Sequence, residues 1–141
     1  AVRESDADLG FAHDGDGDRI ATVDEKGRFV RQDDLLALMG SYYSEHFDSG
    51  VVTTVDASKI VDEEVGKTGG EVVRTEVGDV NVVRDMEREE FSFGGEPSGT
   101  WILGDLHMSP DGIIAAARVL ELLDFRGEGL SDLIESIPSY P

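Results

Sequence analysis

Residues Asp14 to Arg19 read DGDGDR, three carboxylates in strict alternation with glycine and closed by an arginine. In extended backbone, residues two apart point the same way, so Asp14, Asp16 and Asp18 present their carboxylates on one side. Gly15 and Gly17 let the backbone curl until the three converge. Like charges brought that close repel unless a cation neutralises them. A donor set of hard oxygens, without nitrogen or sulfur, points to Mg²⁺ or Ca²⁺. Three carboxylates leave Mg²⁺ short of six ligands, and phosphate oxygens and water are its usual completion. Arg19 offsets part of the excess negative charge. Such a loop suits a metal that polarises a phosphoryl group.

Two other readings compete for the same residues. Counted as a calcium loop from Asp14, acids fall at positions 1, 3, 5 and 12 (Asp14, Asp16, Asp18 and Glu25). Position 6 is Arg19, however, where the sharp turn of an EF-hand needs glycine, and the flanks read as strands where an EF-hand has helices. The third reading is a solvated acidic turn, since Asp-Gly turns are common.

A second constellation is FGGEPSGT, from Phe93 to Thr100. Gly94 and Gly95 permit close backbone approach, and Gly99 frees the turn. Glu96 brings a pair of acceptors and Ser98 a hydroxyl that donates or accepts. A carboxylate and a hydroxyl on a glycine-rich loop suit sugar hydroxyls, whereas a carboxylate is a poor phosphate ligand. A plain turn between two strands, pre-set by Pro97, accounts for the same residues structurally.

The elements that must hold these loops follow from hydrophobic periodicity. DLGFAH (Asp8 to His13) and IATVD (Ile20 to Asp24) read as two short strands around the DGDGD loop, with EKGR as a turn after them. A helix follows in QDDLLALMGSYYSEHF, with Asp33 as N-cap and a stop at Ser49 and Gly50. VVTTV (Val51 to Val55) is a β-branched run suited to a buried strand. Ser58 caps a helix that stops at Gly69 and Gly70, and EVVRT (Glu71 to Thr75) is the next strand. A helix from Asp79 leads to two strands, FSF (Phe91 to Phe93) and TWIL (Thr100 to Leu103). Asp111 opens a long helix, and SDLIESI forms a last short one before Pro138. Strands alternating with helices predict an α/β fold, a three-layer sandwich with a mostly parallel sheet, preceded by a short β-hairpin. Ligands of such sheets sit at the carboxyl ends of the strands. A boundary is expected near Arg31 to Asp34, where the hairpin gives way to the βα pattern.

The 141 residues suffice for one domain with a real core. With no cysteine, disulfides and thiolate chemistry are excluded. No apolar run is long enough to cross a bilayer, and no signal-peptide pattern opens the chain, so no membrane partner and a cytoplasmic location are expected. Acids number 31 against 12 bases, a net charge of −19, dispersed along the whole chain. That charge repels nucleic acid. On a chain with 39% apolar residues it also suggests a halophile, in which salt screens the self-repulsion.

DGDGDR followed about eighty residues later by GGEPSGT resembles the α-D-phosphohexomutase superfamily, which includes phosphomannomutases, phosphoglucomutases and phosphoglucosamine mutases. TVDAS (Thr54 to Ser58), RTEVGD (Arg74 to Asp79) and the Asp-Gly before the long helix at Asp111 are similar to the third domain of these enzymes. The resemblance implies four domains in the full enzyme. A phosphoserine in the first exchanges its phosphoryl group with a hexose phosphate, glucose or mannose phosphate. It implies Mg²⁺ on Asp14, Asp16 and Asp18, with Arg19 steadying the transferring group. It implies ring hydroxyls held at Gly95, Glu96 and Ser98. Residues 1–31 would then be the end of the second domain and 32–141 the third, with the remaining domains as partners. No match to the family's serine loop or phosphate-clamp loop is present, so the chain alone is expected to be inactive. Many relatives have His after the SG of the sugar loop, where Thr100 stands here, and His107 reads as a surface residue. Phosphoglucosamine mutase and a non-catalytic calcium-binding domain are the alternatives.

Overall fold

The computed structural model describes residues 1–138. An antiparallel hairpin of β1 (Gly10–Ala12) and β2 (Ala21–Val23) precedes a second, four-stranded sheet. That sheet comprises β3 (Val51–Thr54), β4 (Val72–Thr75), β5 (Phe93–Gly95) and β6 (Trp101–Leu103), in the order β4-β3-β5-β6. β3 runs parallel to both neighbours, with Val51 opposite Val72 on one side and Phe93 on the other. β6 returns antiparallel to β5. All four residues of β3 are buried, as a β-branched strand covered on both faces requires.

Alternation along the strands builds the layers. Val51, Phe93, Trp101 and Leu103 share one core with α2 (Gln32–Phe47), α3 (Ile60–Lys67), α5 (Gly112–Arg126) and α6 (Leu130–Glu135). Val52 and Ile102 face the other way, onto Val82 and Met86 of α4 (Asp79–Glu89). The result is the three-layer α/β sandwich read from the sequence. Its centre is aromatic: the Tyr43 and Phe93 rings stack at 4.7 Å, and Trp101 meets Phe93 edge-on at 6.1 Å. Trp101 is fully buried, and its replacement by Ala would cost about 3–5 kcal/mol through the cavity left behind.

Local chemistry moves several boundaries. Asp33 does not cap α2; Arg31 holds that position without a side-chain bond. The Asp33 carboxylate instead accepts the Ser58 N–H at 2.7 Å and ties α2 to the loop after β3. α2 ends at Asp48 in the left-handed conformation (φ 52°), before Ser49 and Gly50. Lys59 takes the cap position of α3, while the Ser58 hydroxyl accepts the Ile60 N–H at 3.3 Å. Asp111 does cap α5, accepting the Ile114 N–H at 2.8 Å, and Gly127 (φ 69°) closes it. β5 starts at Phe93, where its partner β3 starts; Phe91 is displaced from the strand and packs its ring over Gly50. A four-residue helix, α1 (Val2–Ser5), stands in a stretch with no apolar periodicity to announce it.

The hairpin is fastened to the sandwich. Ile20 is 1% exposed and joins the main core. Its N–H donates to the Gly99 carbonyl at 3.1 Å, and Arg19 pairs with Thr100 as an antiparallel bridge. The hairpin is therefore pinned to the turn between β5 and β6, where the two glycine-rich loops meet.

Candidate functional site

β1 and β2 carry the DGDGDR loop at one end of the hairpin. These flanks are strands, not the helices of a calcium-binding EF-hand. One oxygen from each of Asp14, Asp16 and Asp18 lies within 4.8 Å of the others. Little inside the protein relieves that charge. The Arg19 Nε stands 3.6 Å from Asp14 and 3.9 Å from Asp18, too far for hydrogen bonds. Asp18 Oδ1 is buried and has no hydrogen-bond partner among the described residues. Desolvation, the bond to Asp14 and the charges of Asp14 and Asp16 push the Asp18 carboxyl above the ordinary range. Desolvation also acts on Asp14, but the Arg19 backbone N–H and the Asp18 side chain outweigh it and hold that carboxyl low. A divalent cation would neutralise this repulsion, and an orphaned, desolvated carboxylate oxygen fits a hard metal ion.

The second loop is a hairpin turn with Pro97, Ser98 and Gly99 at its tip. Gly99 N–H donates to Glu96 O at 3.0 Å, Glu96 N–H to Thr100 O at 2.9 Å, and Gly99 takes φ 88°. This is the three-residue β-loop with glycine in the left-handed position. The turn reading of Pro97 thus holds locally, but the side chains do more. The buried Glu96 carboxylate accepts the Gly78 N–H at 2.8 Å through one oxygen and the Ser98 hydroxyl at 3.3 Å through the other. Ser98 Oγ lies 3.1 Å from Thr100 Oγ1. Gly95 is inside β5, where its carbonyl accepts the Thr53 hydroxyl at 2.9 Å.

The two loops meet. A cavity of about 290 Å³ is lined by His13, Asp14, Arg19, Gln32 and Ser98. Ser98 is therefore the residue of the GGEPSGT turn that reaches the space beside the DGDGDR loop; Glu96 braces it from behind, and Gly95 forms part of the strand below. His107 is turned toward Ser109 (2.9 Å) and Asp111 (3.5 Å), as a surface histidine. Thr100 is buried beneath the turn.

Two residues of this site escaped the sequence reading. Gln32 donates to the Ile20 carbonyl at 2.5 Å and leaves its own buried carbonyl oxygen without a partner at the cavity. Gly78, at φ 125°, offers the N–H that orients Glu96. Gly78 follows β4 at the carboxyl end of the sheet, and that position alone could have marked it. A larger groove of about 600 Å³ lies between Tyr42, His46, Arg118 and Phe125. Its one arginine is already held by Asp105 at 2.6 Å and Glu121 at 2.8 Å, so it offers no free cation to a phosphate.

Residues 31–140 match the family described as phosphoglucomutase/phosphomannomutase, alpha/beta/alpha domain III. The chain belongs to this family. Among curated relatives it is 52% identical, over 99% of its length, to a probable phosphoglucosamine mutase of Methanopyrus kandleri. It spans 31% of that relative, about a third of its length. Among solved structures, a phosphoglucomutase/phosphomannomutase family protein of Burkholderia thailandensis superposes with TM-score 0.87 at 27% identity, covering 99% of this chain and 31% of that one. The N-acetylphosphoglucosamine mutase of Aspergillus fumigatus, solved with GlcNAc-6P and magnesium, shares the fold. There the TM-score is 0.75 at 20% identity, over 93% of this chain and 36% of that one. No helix among the described residues is long and apolar enough to cross a membrane.

Proposed function

We propose that this chain supplies the metal-binding and sugar-binding loops of a Mg²⁺-dependent sugar-phosphate mutase. The enzyme would be an isomerase that moves phosphate between the 1- and 6-positions of a hexose through a phosphoserine. The observation that carries this reading is the shared cavity: Asp14 and Arg19 of one loop and Ser98 of the other line the same space. Asp14, Asp16 and Asp18 would hold the ion, which when bound adds positive charge against the transferring phosphoryl group. Arg19, 57% exposed and tied to Asp14 and Asp18 only by ion pairs of 3.6 and 3.9 Å, is left able to turn to that group. Ser98 would donate to or accept from ring hydroxyls, with Glu96 fixed behind it. Phosphoryl transfer depends on positioning and charge, and these residues supply both.

The division of the chain into the end of a second domain (residues 1–31) and a third domain (residues 32–141) belongs to the same proposal. The family match beginning at residue 31 supports it. The relatives at about half identity are named phosphoglucosamine mutases, which favours an amino-sugar phosphate over glucose or mannose phosphate. The test is turnover of glucosamine, glucose and mannose phosphates by the full-length enzyme, with and without chelator. Chelator-sensitive turnover, fastest on the amino sugar and absent from the 141-residue chain alone, is expected. Full activity after replacing Asp14, Asp16 and Asp18 together by Asn would overturn the metal role.

A further inference from the structure

Gly112 is the first residue of α5, behind the Asp111 cap. That first position does not call for glycine, since other residues, proline among them, sit there readily. The backbone does not demand it either, because Gly112 is not among the glycines of positive φ. The reason lies across the fold. A Cβ at position 112 would stand 2.5 Å from the Arg19 carbonyl oxygen and 2.8 Å from that of Gly17. Both are backbone atoms of the closed DGDGDR loop, which cannot swing aside as a side chain can. The Gly112 N–H also donates to the Gly17 carbonyl at 2.9 Å. Gly17 and Arg19 flank Asp18, the aspartate whose buried oxygen has no partner.

We propose that Gly112 is a positioning residue for the metal loop. Its bare Cα and its N–H seat Gly17 and Arg19 against the head of α5, so that Asp18 turns toward Asp14 and Asp16. The sugar loop contributes from the other side through Gly99, whose carbonyl accepts the Ile20 N–H at 3.1 Å. A helix of the sandwich thereby fixes a loop carried by the hairpin. The inference rests on the reading of Asp14, Asp16 and Asp18 as a metal site.

The test uses Mn²⁺ as a paramagnetic probe of the amide signals of residues 14–19, in the 141-residue chain and in Gly112→Ala. Gly66→Ala is the control, because Gly66 lies in helix α3 with open space where its Cβ would go. Mn²⁺ should bind Gly112→Ala about tenfold more weakly or worse, in line with the loss of groups that support metal ligands. Gly66→Ala should bind as the unsubstituted chain does. A second measurement needs no substitution: Mg²⁺ should shift the Gly112 amide signal with the same midpoint as those of residues 14–19. Equal Mn²⁺ affinity in Gly112→Ala, or a Gly112 signal that stands still while residues 14–19 respond, would overturn the inference and leave the metal reading intact. Absence of any response at residues 14–19 in the unsubstituted chain would bring down the metal reading and this inference together.

Discussion

The hairpin has two acidic ends, and they are wired in opposite ways. At the turn after β2, the 2%-exposed Asp24 accepts both the backbone N–H and the Nε of Arg28 at 2.8 Å. Arg28 reaches on to Glu135 of α6 at 2.9 Å, and Lys26 meets the same carboxylate at 3.1 Å. Glu25 accepts the hydroxyl of Ser131 and, at 3.3 Å, its N–H. At the other end, Asp14 and Asp18 share one arginine at 3.6 and 3.9 Å, and a buried oxygen of Asp18 goes without a hydrogen-bond partner among the described residues. Acid content is similar; satisfaction is not. In a chain with a net charge of −19, an acidic cluster by itself says little, and the unmet hydrogen bond at Asp18 is what sets the DGDGDR loop apart from the turn after β2.

That contrast predicts opposite outcomes for the same kind of change. Asp18→Asn should weaken Mg²⁺ or Mn²⁺ binding by about 10–100-fold and leave the thermal midpoint unchanged or higher, since it removes repulsion. Asp24→Ala should do the reverse. It strips a buried acceptor from two N–H groups, for a loss of about 1–3 kcal/mol with the exposed side of Arg28 taken into account. Calorimetric unfolding and metal titration of both variants decide the matter. A metal defect in Asp24→Ala as large as that of Asp18→Asn would erase the distinction between the two ends.

Acid should find the turn end next. Desolvation raises the Asp24 carboxyl, but the Arg28 N–H, guanidinium and charge outweigh it and hold it below the ordinary range. For Glu25, desolvation is likewise outweighed by the Ser131 side chain and backbone bonds. A carboxyl with a lowered folded-state pKa contributes stability that is fully present above its unfolded value of about 4 and is lost as pH falls through the folded value. Unfolding free energy measured from pH 6 downward should be flat to about pH 5 and then fall. In Asp24→Ala the fall should be shallower. An identical slope in both proteins would show that Asp24 is not the group being protonated.

How much of this was legible in the sequence depended on range. The β-branched run at Val51, the Asp111 cap and the two glycine-rich loops are local signals, and the structure realises them at or within a few residues of their expected places. The Asp33 cap failed because a partner 25 residues away, Ser58, offered its N–H. The meeting of Arg19 with Thr100, and of Gly17 with Gly112, spans most of the chain and leaves no periodic trace. Gly78 and Gln32 were missed for the same reason: each acts through one long-range hydrogen bond. Residue types announced what chemistry was present, but only the fold showed which groups had been left unpaired.

The smallest expected effect is the most discriminating. Ser131→Ala removes the hydroxyl that Glu25 accepts while leaving the Ser131 N–H in place. The loss should be about 0.5–1.5 kcal/mol, the net worth of one hydrogen bond. If the turn is only a strut, the metal midpoint of the distant loop should not move, because Ile20, buried in the core, anchors β2 between the two ends. A shift of that midpoint in Ser131→Ala would mean that strain at α6 travels along β2 to Arg19. The hairpin would then be a lever joining α6 to the DGDGDR loop, and the two ends would have to be treated as one coupled unit.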